Sequence, residues 1–180
     1  MRVGIDASVW LHELARHHAF AVVKCKDCTA VVAAVVERAA HLVKRGITPV
    51  FVFDGARAVA KDATDTARAK RRAEAYSCLE ADLEDAAPCA SDLKAAISIM
   101  WEMVTLVIDA LRERGYMYVV APYEADGQLA ALCRAGLVHA VFTIDTDLIV
   151  LGCAKTYLKI NYYSGSATLV EHWVGAAGRR

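Results

Sequence analysis

The chain has 180 residues, 57% of them hydrophobic and 23% charged, which excludes a disordered polypeptide and suffices for one sizeable core. Its 21 basic and 21 acidic residues cancel, so net charge does not point to a polyanion partner. Apolar runs such as ISIMWEMVTLVIDAL are broken by Glu102 and Asp109, and no N-terminal stretch has the charged, apolar and small-residue order of a signal peptide; a soluble, intracellular domain with reduced thiols and no membrane partner is expected.

In chain order, RVGID predicts a short first strand, followed by a loop carrying Trp10 and His12 and then a helix from Thr29 to Arg45, closed by Gly46. PVFVFD is a continuous apolar run, as in a parallel strand covered on both faces. Helical stretches are expected from Ala60 to an interruption near Pro88, and from Ser91 to Arg114, which Gly115 ends. YMYVVA predicts strand three, Pro122 opens a helix through Arg134, VHAVFTI predicts strand four, and TYLKINYY forms a hairpin with SATLV. Strands alternating with helices imply an α/β fold with a mostly parallel central sheet between two helical layers.

The strand ends carry the chemistry. Asp6 ends the first strand, Asp54 the second, Glu124 and Asp126 follow the third, and Asp145 and Asp147 follow the fourth. Residues at the carboxyl ends of parallel strands converge in space. Carboxylates gathered there repel one another unless cations neutralise them, and an all-oxygen donor set favours Mg2+ or Mn2+. Any one of these acids could instead cap a helix; six at one rim point to metal. Two D-x-D-type pairs plus Asp6 and Asp54 can hold two ions about 4 Å apart, the arrangement that serves phosphodiester hydrolysis. No Walker A, G-x-G-x-x-G or G-x-S-x-G motif is present.

Between Arg57 and Arg72 the basic residues Arg57, Lys61, Arg68, Lys70, Arg71 and Arg72 outnumber Asp62 and Asp65, whereas every charge from Ala73 to Asp92 is acidic. Lys61 and Arg68 are two helical turns apart and so share a face, which Arg72 continues. Such a stripe above a metal rim would steer a scissile phosphate and stabilise its developing charge; the plain alternative is a solvated helix surface. His12, just beyond Asp6, is a candidate contact to a nucleobase. Cys25 and Cys28 form a lone C-x-x-C with no second pair at zinc-finger spacing, and are expected to be dispensable.

IDASVWLH, RGITPVFVFDG, APYEADGQLA and TIDTDLIVLGC together resemble, in order and spacing, the nuclease core of the XPG/flap endonuclease family, most closely its exonuclease 1 branch. The resemblance implies a PIN-like three-layer fold with a helical arch insertion, as one nuclease core over 1–180: an N-terminal block over 1–75, the arch near 57–95 and an internal block near 110–170. It implies a metal site of Asp6, Asp54, Glu124, Asp126, Asp145 and Asp147, catalytic Lys61 and Arg68, and DNA contacts by His12, Arg71 and Arg72. Two Mg2+ ions, replaceable by Mn2+, would support 5′-directed, structure-specific hydrolysis of DNA with 5′ ends, flaps or nicks in repair or replication. Repair or replication proteins would be partners, with a nuclear location in a eukaryote and a cytoplasmic one otherwise. The family's seventh metal-site acid and its helix-two-turn-helix would fall beyond Arg180, and Ile144 and Gly127 stand where the family often has an acid and an alanine. Two rival readings are a PIN-type ribonuclease, which would not need the long insertion between Asp54 and Glu124, and a truncated, non-catalytic DNA-binding paralogue.

Overall fold

A computed structural model describes residues 1–56, 62–81, 89–162 and 164–171. The described elements are β1 (Arg2–Asp6), α1 (Ala7–His17), α2 (Ala19–Val23), α3 (Thr29–Lys44), β2 (Thr48–Phe53), α4 (Asp62–Ala81), α5 (Ala90–Ala96), α6 (Trp101–Glu113), β3 (Met117–Val120), α7 (Ala125–Arg134), β4 (Ala140–Phe142), α8 (Asp147–Val150), β5 (Lys155–Asn161) and β6 (Ser166–Glu171). They form one sheet of order β3-β2-β1-β4-β5-β6, parallel throughout except for the β5–β6 hairpin. The α/β class, the parallel sheet and the terminal hairpin follow the sequence expectation.

The central position of β1 explains its apolar run: Val3 and Ile5 have no exposed surface, because helices cover both faces. On one face α1, α3 and α6 pack a large core around Trp10, Phe51, Phe53, Met103 and Leu111. On the other, Leu129 and Ala130 of α7 and Leu148 of α8 pack against Val52 and Val141. Gly4 permits this second layer, since a Cβ there would come within 2.7 Å of Leu129 Cδ2. The helix α3 buries Val31, Val35, Ala39 and Leu42 along one stripe. It stops where Gly46 takes φ +73°: Gly46 N bonds Val43 O at 2.9 Å and Ile47 N bonds Leu42 O at 3.0 Å. The same pair of closing bonds ends α6 and α7, so all three helices turn sharply into the strands that follow.

Three local expectations are corrected. The segment with Trp10 and His12 is helix α1, not a loop, because the Asp6 side chain caps it at once by accepting from Ser8 N at 3.0 Å and Val9 N at 3.3 Å. The helix expected from Ser91 to Arg114 is two, α5 and α6, since Ile97 adopts an extended backbone (φ −60°, ψ 126°) and Met100 an extended N-cap (φ −85°, ψ 153°). Extension there turns Ile97 into the core, which outweighs the helical pattern on either side. Finally, Pro122 lies before the helix rather than opening it: Glu124 is the N-cap of α7 and Ala125 its first residue.

Around Trp10 the first core is unusually polar. Its indole N–H donates to the Tyr162 hydroxyl at 2.6 Å, and its ring meets Phe51 and Tyr162 edge-on. Arg38, nearly buried on α3, lies 4.5 Å from the Tyr162 ring centre and 5.3 Å from that of Trp10. Its guanidinium makes two bonds of 3.0 Å to Glu13. The cation is thus desolvated but fully engaged, the condition under which burial of a charge is tolerated.

Candidate metal centre

The sheet order places the acids. Strands β1 and β4 are neighbours although 134 residues separate Asp6 from Ala140, and this reversal of strand order opens a crevice at the carboxyl edge. Asp6 ends β1, Asp54 directly follows β2, Asp145 and Asp147 follow β4, and α7 brings Glu124 and Asp126 over the same edge.

Among the described residues, Asp126, Asp145 and Asp147 form a group whose carboxylate oxygens lie within 4.8 Å of one another. Asp126 is the hub. Its carboxyl is raised to about 6, first by burial and then by repulsion from Asp145, Asp54, Asp147 and Glu124. Asp6, buried at the strand end, is pushed up to about 7, chiefly by burial; its bonds from Val9 N and Ser8 N pull the other way, while Asp126 and Asp54 add repulsion. All six sequence-predicted acids are therefore in electrostatic contact through Asp6 and Asp126. Like charges so gathered repel one another unless a cation neutralises them, and oxygen-only donors suit a hard divalent ion.

Backbone and hydroxyl donors fix the individual carboxylates. Asp54 accepts from Ser8 Oγ through one oxygen and from Ala125 N, at 2.8 Å, through the other. Asp145 N donates to Thr143 Oγ1 at 3.1 Å, and Asp147 N donates to Asp145 Oδ1 at 3.1 Å, so the TIDTD turn is held by its own side chains. The chain just after β2 runs against the loop before α7: Gly55 N bonds Tyr123 O at 2.6 Å and Ala56 N bonds Pro122 O at 3.1 Å. A Cβ on Gly55 would overlap the Ala121 carbonyl oxygen. Ser8, Thr143 and Gly55 were not singled out from sequence. Only the D-G dipeptide, a common turn signal, hinted at one of them.

The basic residues fare differently. Lys61 and Arg57 lie outside the described residues. Arg68 belongs to α4, its side chain outside the description; on the same helix Arg71 is exposed and Arg72 half-buried. Arg72, Ala75 and Leu79 recur at helical spacing, and the latter two are buried, so Arg72 begins the body-facing side of α4 whereas Arg71 faces water. His12 is exposed on α1, six residues after Asp6. Cys25 is exposed and Cys28 buried, and neither belongs to a metal-holding group among the described residues.

The sequence matches the XPG N-terminal domain over residues 1–75 and the XPG I-region over residues 115–174. It is 29% identical to exodeoxyribonuclease 1 of Schizosaccharomyces pombe, across 93% of this chain and 30% of that protein. With exonuclease 1 of Xenopus laevis it shares 32% identity across 89% of this chain and 22% of that protein. The chain thus spans less than a third of the length of these relatives. The fold is similar to the catalytic core of Rad2 solved in complex with DNA substrate, with a TM-score of 0.68 and 26% identity over 94% of this chain and 48% of that one. With both XPG blocks present in order and the acids of each in electrostatic contact at one sheet edge, the chain belongs to the XPG/flap endonuclease family.

Proposed function

We propose that this chain is the core of a Mg2+-dependent, structure-specific 5′ nuclease that hydrolyses DNA phosphodiesters in repair or replication. The observation that carries the reading is the convergence of Asp126, Asp145 and Asp147 within 4.8 Å, with Asp54 and Glu124 beside them. Two divalent ions, Mg2+ or in its place Mn2+, would be held by these acids with Asp6, and when bound supply Lewis-acid stabilisation of the attacking and leaving oxygens. The chain's own residues then orient. Ser8 Oγ and Ala125 N hold the Asp54 carboxylate, Ser8 N and Val9 N hold Asp6, and the TIDTD turn holds Asp145 and Asp147. Lys61 and Arg68 act as the phosphate-steering cations of an arch inserted between Asp54 and Glu124, with Arg71, Arg72 and His12 contacting DNA. The substrates would be DNA with 5′ ends, flaps or nicks, the partners repair or replication proteins, and the location nuclear in a eukaryote.

Cleavage assays on flapped, nicked and single-stranded DNA and on RNA, with and without Mg2+, test this. Metal-dependent DNA cleavage that Asp145→Asn abolishes, with the folded circular-dichroism spectrum retained, is the expected result. Cleavage of RNA alone would favour a PIN-type ribonuclease, and binding without turnover a non-catalytic role.

A further inference from the structure

Away from the acidic edge, an open groove of about 560 Å³ lies between the last turn of α1 and helix α5, lined by Glu13, Arg16, His17, Lys94 and Ala95. Its one carboxylate among the described residues is already used, since both Glu13 oxygens accept from Arg38 at 3.0 Å. Arg16, His17 and Lys94 are exposed and make no ion pair among the described residues. The dipole of α1 accounts for part of this, because cations are favoured in a last helical turn. It does not account for Lys94, which another helix brings to the same groove.

The groove also has a fixed relation to the acidic edge. Helix α1 begins at the Asp6 cap and runs eleven residues to His17, so its end lies about 16 Å from the cap at 1.5 Å per residue. His12 and Arg16, both exposed, are four residues apart and share a face of that helix. The stripe thus leads from the edge to the groove.

We propose that this groove is a second nucleic-acid subsite, binding backbone phosphates of the strand that crosses the acidic edge. At the 3.4 Å rise of a stacked strand it engages phosphates about five nucleotides away. The guanidinium of Arg16 offers a fork to phosphate oxygens and Lys94 a point charge, and with Glu13 engaged no free acid lines the groove among the described residues. The assignment rests on the nuclease reading of the acidic edge.

Fluorescence anisotropy with oligothymidylates of four and twelve nucleotides, across 0.05–0.2 M salt, tests it with the full chain. The double variant Arg16→Ala/Lys94→Ala should bind the twelve-mer about tenfold more weakly at low salt, and its log–log salt slope should be shallower by about 1.4, two single-strand phosphate contacts. The four-mer, too short to reach from edge to groove, should lose much less. Arg2→Ala, an exposed cation at the opposite end of β1, should leave both unchanged. An unaltered slope, or equal losses for both lengths, overturns the subsite. Cleavage of DNA with the slope unaltered removes the groove alone; the predicted slope change in a chain that cleaves nothing removes the nuclease reading and leaves the groove.

Discussion

The backbone amide of Ala125 donates to Asp54 Oδ1 at 2.8 Å, so the acid that follows β2 also receives the first residue of the helix that carries Asp126. One carboxylate therefore serves as a hinge pin between two halves of the acidic edge. With Ser8 Oγ on its other oxygen, it ties α1, β2 and α7 together.

Ser8→Ala should leave the fold intact and lower Mg2+ affinity about tenfold, the usual scale for removing a partner that orients a ligand. Isothermal calorimetry measures this. Affinity equal to wild type would mean that Ala125 N alone fixes Asp54.

Gly55→Ala should destabilise the protein by about 1–3 kcal/mol, as for other forced overlaps in packed regions, because a methyl there collides with the Ala121 carbonyl. Urea unfolding reports the loss. The displacement of Asp54 that relieves the clash should also weaken Mg2+ binding, so the two effects should appear together.

The raised carboxyls give a signed pH dependence. Asp126, near 6 in the folded chain against 3.8 unperturbed, binds its proton more tightly folded than unfolded. Its favourable contribution is present below 3.8 and is lost as pH rises through about 6. Asp126→Asn should then melt close to wild type at low pH and above it at high pH when metal is withheld, the gap opening as pH rises from 3.8 to about 6 and holding level above that. Saturating Mg2+ should close the gap by stabilising only the wild type. A gap that does not change with pH would show that neither burial nor repulsion raises the Asp126 carboxyl.

Arg38→Ala should cost about 2–4 kcal/mol, since it strips a nearly buried cation from two aromatic faces and from Glu13. Arg38→Lys should recover only part, lacking the fork that meets both Glu13 oxygens. Thermal melting compares the three; full rescue by lysine would assign the effect to charge alone.

Much of this was legible in the sequence because it depends on local signals. Continuous apolar runs marked the inner strands, glycines marked helix ends, and the position of each acid after a strand marked the rim. What stayed hidden depends on encounters between distant segments. Ile97 breaks a helix in order to fill the core, and no local pattern records that preference. The capping of α1 by Asp6 was visible as residue types, yet a metal-site acid that also caps a helix is ambiguous until the strand and helix are seen end to end. Ser8 and Thr143 look like any hydroxyl residues near a turn; their meaning comes from the carboxylate and amide that the fold sets opposite them.

The position of β1 between β2 and β4 has a kinetic consequence. Its pairing spans residues 2–6 with 48–52 on one side and 3–5 with 140–142 on the other, so the acidic edge cannot assemble until β1 has met a strand far away in sequence. Pairings so remote in sequence form late and slowly. A refolding chain should therefore regain helical signal well before it can take up a divalent ion, and metal uptake should serve as a clock for the final step of folding.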